Sequence, residues 1–414
     1  MSRRVAITGL GLVCSQGQDP QAVFDQWLNG QSGIALHDVG EAPFSAQAPM
    51  ARCDGFDAAA ALGRSRLTTM DRVSQLSAVA AQNAWQDAGL SDASEALRQR
   101  CGTYWGTGGG GTHTVDKSYR DLFVKQRPRI SPLSVVLGMH NAAASHIALG
   151  LGLGADCLTY SVACASSAMA IGEAMRRIQH GGMDIAVAGG AEASMPFGTL
   201  KAWESLQVMA QVGDDAARSC RPFDAARTGL VLGEGAAAFV LEAWDHAVAR
   251  GAHIHAELVG YGSSCDHTHL TAPHAGGQLR ALQEALAHAG LQPSQIGYVN
   301  AHGTATAEGD PTEVSALRSL FGDHAAKVMV SATKSLHGHL LGAAGAIEAL
   351  VTTLALQHQA IPPTGGLTQV DPACEGLDHV KQCARTGVDV AFAVSNSFAF
   401  GGSNAVLVLR RVPR

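Results

Sequence analysis

The sequence has few charged residues, few aromatic residues and no long apolar run. Charged residues make up 15% of the 414 positions, and Phe, Trp and Tyr together make up 5%. The formal net charge is −6 and no basic run is long enough to neutralise many phosphates, which excludes nucleic acid as the main partner. No stretch provides the roughly 18–20 uninterrupted apolar residues of a membrane-spanning helix, so we expect no membrane span.

The nine cysteines also lack a recognisable framework. They form no C-x-x-C pair and do not have the dense spacing of a small disulfide scaffold. We therefore expect a reducing compartment, the cytoplasm, and no metal site. The first residues, MSRRVAITGLGLVCS, superficially resemble a secretion signal, but the glycines and Val13 before Cys14 favour a first buried strand and turn.

Apolar residues account for 46% of the chain, which includes 48 glycines, a composition that suits buried sheets joined by tight turns. Strand-like runs alternate with helical stretches rich in Ala, Leu and Gln, and this alternation predicts an α/β fold. The strand-like runs are RVAITGL, DIAVAGG, AAFVLE, IHAELVGYG, IGYVNAHG, KVMVSATK and VAFAVSNSF.

A break near HAVARGAHIHAEL predicts two halves, residues 1–252 and 253–414. The segments ITGLGLVCS and LVGYGSSCD resemble each other weakly, which alone would not support a duplication. Because no low-complexity linker separates the halves, we expect them to pack as one unit.

Cys164 stands out among the cysteines because it lies between a β-like run and a long amphipathic helix, within TYSVACASSAMAIGEAM. A cysteine at a helix N-terminus meets aligned backbone N–H groups, which favour a thiolate and can bind an oxyanion. For the other eight cysteines we favour a structural role.

Two further segments place histidines at the ends of predicted strands. GYVNAHGTATAEGDPTE puts His302 in a loop rich in Gly and Thr, and SATKSLHGHLLGAAGAIEAL leaves a strand at Lys334 and puts His339 before a helix. Near the end, VSNSFAFGGSNAVLVLR predicts a hairpin with Phe398 and Phe400 on its turn. Such strand-end residues are typical of a site assembled from loops on a rigid sheet.

Together these segments resemble the β-ketoacyl-acyl carrier protein synthases of the thiolase superfamily, and most closely the elongating synthases of bacterial type II fatty acid synthesis. The resemblance covers essentially the whole chain. It rests on VACASS, NAHGTAT, TKSLHGHLLGAAGA, NSFAFGGSN, and RPFD with VLGEGA at residues 221–236.

The resemblance implies a thiolase-like fold, in which two related halves form a five-layered α-β-α-β-α sandwich. It also implies a homodimer, or a heterodimer with a chain-length partner subunit. The partner in catalysis would be acyl carrier protein, whose phosphopantetheine arm delivers the substrates, with no permanently bound cofactor. The activity would be the condensation of an acyl group with a malonyl unit in fatty acid, polyketide or polyene synthesis.

The resemblance implies that Cys164 carries the acyl group while His302 and His339 hold the thioester oxygen of the malonyl unit. Neutral imidazoles suit this role because decarboxylation builds negative charge on that oxygen. We expect a helix N-terminus to lower the pKa of His339. Lys334 would orient His339, and Glu348, on the same helix, would pair with Lys334; a solvated or packed Glu348 is an almost equal alternative.

The family pattern also implies an oxyanion hole made by the backbone N–H groups of Cys164 and Phe400, with the Phe400 ring as a gate for the acyl chain. This ring could instead pack in the core. Thr304 and Thr306 match positions that bind the phosphopantetheine arm, although such a loop can also satisfy its own backbone.

Three positions depart from the family pattern: Ala307, Thr228 and the glycine-rich WGTGGGGTH at 105–113. Gly109 matches a position that often places a branched side chain in the acyl pocket. Its absence predicts a deeper or wider pocket for long, rigid or bulky chains such as polyenes, unless a neighbouring residue fills the gap.

Because carrier proteins are acidic, a basic docking patch is expected despite the net charge. Each candidate could equally be an ordinary surface charge. The candidates are Arg64, Arg66, Arg72, Lys125, Arg127 and Arg129.

Three other functions compete with this interpretation. A degradative thiolase would have a second reactive cysteine in the C-terminal glycine loop, which FAFGGSN lacks. A non-catalytic chain-length partner usually lacks the nucleophile that Cys164 provides. An unrelated Cys/His hydrolase leaves Lys334 and His339 unexplained.

Overall fold

The computed structural model describes residues 3–41 and 43–413. The strands are β1 Val5–Val13, β2 Ala35–Asp38, β3 Gln47–Ala51, β4 Cys101–Gly106, β5 Cys157–Tyr160, β6 Ile185–Glu192, β7 Leu232–Gly233, β8 Gly235–Ala243, β9 Ala256–Cys265, β10 Ile296–Asn300, β11 Met329–Ser331, β12 Ala360–Ile361, β13 Asp378–His379, β14 Arg385–Thr386, β15 Phe392–Phe398 and β16 Ser403–Arg410. Every strand-like run named from the sequence overlaps one of these strands.

The α-helices alternate with the strands, as the sequence predicts. They are α1 Pro20–Leu28, α2 Ala58–Leu62, α3 Arg64–Leu67, α4 Arg72–Asp87, α5 Glu95–Arg98, α6 Thr112–Tyr119, α7 Ser134–Gly138, α8 Ala142–Leu151, α9 Ser166–Gln179, α10 Phe197–Ser205, α11 Trp244–Ala249, α12 Ala275–Ala289, α13 Gly309–Phe321, α14 Lys334–His337 and α15 Ala344–His358. In the described residues no helix is long and apolar enough to cross a membrane.

The main sheet consists of two half-sheets with the same topology. Its order is β13-β11-β10-β15-β16-β9-β1-β8-β6-β4-β5, and β1 and β9 join the halves through a short antiparallel pairing. In one half, β5, β4 and β6 are parallel, while β8 runs antiparallel to both β6 and β1. The other half repeats this arrangement with β11, β10, β15, β16 and β9. Two related halves are therefore confirmed.

The weakly similar segments in the sequence are the equivalent strands β1 and β9. Each carries two glycines that let a covering helix approach closely. A Cβ atom at Gly9 would lie 2.1 Å from the Ala84 carbonyl oxygen of α4, and one at Gly260 would lie 2.5 Å from the Ala285 oxygen of α12. The sequence similarity thus reflects the same close packing of a helix against a glycine-containing strand in each half.

The hydrophobic cores define five layers. The central core combines α9 and α15 with the inward faces of both half-sheets. Helices α4 and α8 pack on the outer face of one half-sheet, and α12 and α13 pack on the outer face of the other. This α-β-α-β-α order confirms the expected sandwich. The boundary at residue 252 falls between α11 and β9 and stays a prediction.

Candidate active site

Cys164, His302 and His339 come together where strand-end loops of the two halves meet. One ligand-type atom of each residue lies within 4.8 Å of those of the other two. The Cys164 Sγ is 3.1 Å from His339 Nε2, and the two imidazole centroids are 5.5 Å apart. All three residues are buried and line a cavity of about 410 Å³.

The backbone presents Cys164 on a sharp turn between β5 and α9. Ala163 has a φ of 48°, a left-handed conformation that non-glycine residues rarely adopt. The Ser166 hydroxyl stabilises the turn, because it accepts from the Val162 N–H and donates to the Ala163 carbonyl. The predicted strand-to-helix setting of Cys164 is confirmed.

The environment of Cys164 does not favour a resting thiolate, contrary to the expectation from the helix terminus. Burial raises the pKa of the Cys164 thiol to about 11, and this outweighs the positive charge of Lys334 and the N–H of Phe400, which lower it. The resting Cys164 side chain is therefore a thiol.

Lys334 contacts His302 and not His339, which corrects the expected pairing. Its Nζ lies 3.1 Å from His302 Nδ1, and it also donates to the His302 carbonyl. The predicted partner Glu348 is confirmed, since it forms a fully buried ion pair with Lys334. The two residues lie on separate helices, α14 and α15, so the expected common helix is wrong.

Hydrogen bonds assign the same tautomer to both catalytic-site histidines. Lys334, which has only donors, approaches His302 Nδ1, and the backbone N–H of Leu341 donates to His339 Nδ1 at 3.2 Å. In neutral rings Nδ1 is therefore the acceptor and Nε2 carries the proton. Although one cysteine and two histidines could form a metal site by distance, this tautomer leaves each Nε2 a donor and not a ligand.

Both histidines are neutral for a different reason from the one expected. Burial lowers the pKa of His302 and of His339 well below 6.5, and the charge of Lys334 lowers both further. His339 follows α14 and precedes a short 3-10 turn, so it does not lie at the N-terminus of a long helix. The predicted direction for His339 is confirmed, but the cause is burial and Lys334.

Glu313 on α13 is a supporting residue that the sequence reasoning missed. Its carboxylate accepts from the backbone N–H groups of His302 and Gly303, both at 2.8 Å, and from the Asn396 side chain. It thereby fixes the loop that carries His302. The only signal in the sequence was an acidic residue on the helix after NAHGTAT.

Phe400 lies on the predicted β15–β16 turn beside Cys164. Its backbone N–H bonds to the Cys164 sulfur and lowers the pKa of the thiol. Its ring stacks on Trp203, with the centroids 6.0 Å apart; it is half-buried and lines the cavity, so it does not pack in the core. Trp203 also lines the cavity and was missed by the sequence reasoning.

Thr304 and Thr306 line the same cavity as Cys164. Their hydroxyl oxygens are 2.9 Å apart, and the Thr306 oxygen also accepts from the Gly309 N–H. This pair therefore borders the route to Cys164 and supports its own loop.

Gly109 does not leave an open space, so the expected wider acyl pocket is wrong. A Cβ atom at this position would lie 2.2 Å from the Ser194 hydroxyl oxygen and 3.2 Å from Glu192 Oε1. The alternative of a neighbouring residue filling the gap is confirmed, and Gly109 is not among the residues that line the cavity.

The candidate docking residues divide into two groups. Arg72 is not available for a carrier protein, because its guanidinium is bound by the buried carboxylate of Glu234. Arg64, Arg66 and Arg129 are exposed. Lys125 and Arg127 are also exposed, although both approach Asp121.

Comparison with known proteins matches two family models to this chain. Residues 2–247 match the N-terminal domain of beta-ketoacyl synthase, and residues 255–368 match its C-terminal domain. Nodulation protein E of Rhizobium meliloti (strain 1021) is 39% identical, with 100% of both chains covered. The 3-oxoacyl-[acyl-carrier-protein] synthase 2 of Staphylococcus aureus (strain COL) is 37% identical, with 99% of both covered.

A solved structure gives the same result for the fold. The ishigamide ketosynthase/chain length factor matches with a TM-score of 0.91 and 32% sequence identity, and 100% of both chains is covered. The similarity therefore extends over both half-sheets and all the loops that meet at Cys164.

Proposed function

The chain belongs to the β-ketoacyl synthase family, and from that premise we propose that Cys164 carries an acyl group which condenses with malonyl-acyl carrier protein at His302 and His339. The product is a β-ketoacyl-acyl carrier protein two carbons longer. The observation that carries these roles is the convergence of the Cys164 sulfur with two neutral imidazoles whose Nε2 atoms bear protons.

The first step is transfer of the acyl group to Cys164. The sulfur attacks the thioester carbon of acyl-acyl carrier protein, the bond to the phosphopantetheine sulfur breaks, and the thiol proton ends on that leaving sulfur. The Phe400 N–H, which points at Cys164, supports an oxyanion hole built with the Cys164 N–H. The high pKa of Cys164 means that the thiol proton must leave the sulfur during this step.

The second step is decarboxylation and condensation. Loss of carbon dioxide from the malonyl thioester places negative charge on the thioester oxygen, where the Nε2–H groups of His302 and His339 would donate. The carbanion attacks the acyl carbon, the bond to Cys164 breaks, and the thiolate takes up one proton. Neutral imidazoles suit this step, since an imidazolium could protonate the carbanion.

Lys334 and Glu348 support this chemistry without contacting the reacting atoms. The ammonium of Lys334 holds His302 in the tautomer whose Nε2 is a donor. Glu348 neutralises that ammonium in a fully buried position. Glu313 fixes the backbone of the same loop.

The substrates arrive on the phosphopantetheine arm of acyl carrier protein, for which Thr304 and Thr306 line the entrance. Arg64, Arg66, Lys125, Arg127 and Arg129 remain the candidate docking charges. The cytoplasmic location belongs to the same proposal, because the Cys164 thiol must stay reduced to accept an acyl group.

The partner subunit is a second copy of the chain or a chain-length partner. Strand β5 is the terminal strand of the main sheet and can pair with another chain. Large exposed apolar side chains lie on β5 itself, at Leu158, and in segment 115–139, at Tyr119, Phe123, Val124 and Val135. A non-catalytic role for this chain is less well supported, because it has the complete group of Cys164, Lys334 and the two histidines.

Substitution of each histidine tests this assignment. Enzyme preloaded with an acyl group is mixed with malonyl-acyl carrier protein, and carbon dioxide and product are measured. His302→Ala and His339→Ala should each lower condensation roughly 100- to 1,000-fold, the usual effect of losing one oxyanion donor. His379→Ala is the control, because His379 is buried and donates to the Cys374 carbonyl outside the cavity. Condensation at the wild-type rate in either histidine variant would contradict the assignment.

A further inference from the structure

Glu192 is a fully buried carboxylate at the end of β6, within the active-site region but outside the cavity lining. Its Oε2 accepts from the N–H groups of Gly108 at 2.8 Å and Gly342 at 3.1 Å. Its Oε1 accepts from the Gly109 N–H at 3.2 Å and from the Ser194 hydroxyl. Three backbone N–H groups and a hydroxyl converge on this carboxyl group and favour its ionised form, whereas burial acts in the opposite direction and raises the pKa of Glu192.

The Glu192 carboxylate binds the backbone of Gly342, which directly follows Leu341, the residue whose N–H sets the tautomer of His339. Leu341, whose N–H donates to His339 Nδ1, has a φ of 43°, a strained conformation for a non-glycine residue. The backbone conformation of Leu341 determines where the next N–H, that of Gly342, points, and this N–H is bound by Glu192. Glu192 therefore stabilises the strained turn that follows His339.

Three glycines leave room for this arrangement. A Cβ atom at Gly108 would lie 2.7 Å from Glu192 Oε2, and one at Gly342 would lie 2.2 Å from the Gly108 nitrogen. At Gly109 the nearest atom is the Ser194 hydroxyl oxygen at 2.2 Å. The glycine-rich loop after β4 thus wraps around a carboxylate, which explains its composition without an acyl pocket.

We infer that Glu192 is a positioning residue of the condensation step and acts through His339. It holds the Leu341–Gly342 turn, and this turn keeps Nδ1 of His339 occupied and Nε2 protonated. Without Glu192 the turn relaxes and His339 loses the fixed donor that the enolate oxygen requires. The inference rests on the proposed function, and it adds a group that does not touch the substrate.

A double-mutant cycle between Glu192 and His339 tests the inference. Glu192→Ala should lower the kcat of condensation about 10- to 100-fold, the effect of misplacing a catalytic group, with less than a threefold change in the KM for malonyl-acyl carrier protein. In a His339→Ala background the same substitution should change the rate less than twofold. Additive losses in the cycle, or wild-type condensation in Glu192→Ala, would overturn the inference.

The conservative variant provides a second readout. Glu192→Gln can turn its amide nitrogen toward Ser194, whose hydroxyl can accept; this loses the bond from the Gly109 N–H but keeps an oxygen for Gly108 and Gly342. It should recover most of the activity lost in Glu192→Ala. Equal losses in the two variants would contradict a role through the Gly342 contact.

If Glu192→Ala does not fold, two other variants test the inference, one that introduces a steric clash beside Glu192 and one that relieves it. Gly109→Ala places a methyl group 2.2 Å from the Ser194 oxygen and should lower condensation, whereas Gly109→Ala/Ser194→Ala should recover much of it, since the severe clash is removed and only the milder contacts with Thr112 Cγ2 at 3.0 Å and Glu192 Oε1 at 3.2 Å remain. Failure of the double variant to recover would overturn the inference. Acylation of Cys164, measured in every variant, separates this outcome from failure of the proposed function, which would abolish acylation in the wild type as well.

Discussion

The ammonium nitrogen of Lys334 lies 3.1 Å from Nδ1 of His302, and the same ammonium is paired with Glu348 in a fully buried position. The strand-end loop of β11 therefore supplies the group that fixes the histidine following β10. The two histidines are held differently, His302 by a side-chain cation and His339 by a backbone N–H.

Lys334→Ala should reduce both stability and condensation. It leaves the buried Glu348 carboxyl without its partner, and burial, which already raises the pKa of this carboxyl to about 7, then forces it to take up a proton; breaking a buried pair in this way costs about 3–5 kcal/mol of unfolding free energy. It also removes the donor to His302, which should lower condensation at least tenfold in the fraction that remains folded. Urea unfolding and single-turnover condensation measure the two effects.

Lys334→Ala/Glu348→Ala is the control for the first effect, because it removes the whole ion pair. It should be more stable than Lys334→Ala alone while remaining equally slow in condensation. Recovery of the rate in this double variant would contradict the contact between Lys334 and His302 as the reason for the loss.

The condensation step should be insensitive to pH around the usual pKa of histidine. Burial and Lys334 hold the pKa of His302 and of His339 well below 6.5, so both remain neutral donors as the pH falls. From pH 7.5 to pH 5.5 the single-turnover rate of preloaded enzyme should change less than about twofold. A histidine with an ordinary pKa of about 6.5 would lose roughly tenfold of its neutral form over that range, and such a loss would contradict this assignment.

Alkylation of Cys164 should accelerate steadily with pH. Since burial raises the pKa of this thiol to about 11, the thiolate fraction below that pH grows about tenfold per unit. Peptide mapping after iodoacetamide should show this increase from pH 7 to pH 9 without a plateau. The exposed Cys157, Cys265 and Cys383 provide internal references in the same digest. A plateau for Cys164 near pH 7 would indicate a thiolate and contradict the burial argument.

The sequence predicted most of the fold because most strands of the main sheet are buried and read as continuous apolar runs, in contrast to the exposed terminal strand β5. It predicted Cys164, His302, Lys334 and His339 because each follows such a run in a segment that matches the family pattern. It could not predict that Lys334 contacts His302, since that depends on how two loops from distant parts of the chain pack together.

The buried residues that support the site were harder to predict from the sequence. Glu192 and Glu313 are single acidic residues that only the structure distinguishes from surface charges, because it shows the backbone N–H groups around them. The prediction of a wider acyl pocket at Gly109 was wrong for a related reason. The sequence shows that a side chain is missing there, but the structure shows that Ser194 and Glu192 occupy the space.

Two charge substitutions should distinguish an arginine that binds acyl carrier protein from an arginine that stabilises the fold. Arg129→Ala removes an exposed charge and should weaken binding of acyl carrier protein at low salt, with the difference shrinking as salt screens the attraction. Arg72→Ala should lower the unfolding free energy by about 1–3 kcal/mol, since the buried Glu234 is left without its half-buried partner. Titration calorimetry and urea unfolding distinguish the two. A stable Arg72→Ala protein with weakened carrier binding would contradict the division made here.

Intact-protein mass spectrometry after incubation with acyl-acyl carrier protein tests the role of Cys164 most directly. The wild type should gain the mass of one acyl group, peptide mapping should place it on Cys164, and subsequent malonyl-acyl carrier protein should remove it as a β-ketoacyl product. Cys164→Ala should gain no mass. An acyl group that persists on Cys164→Ala, or that maps to another residue in the wild type, would contradict the account.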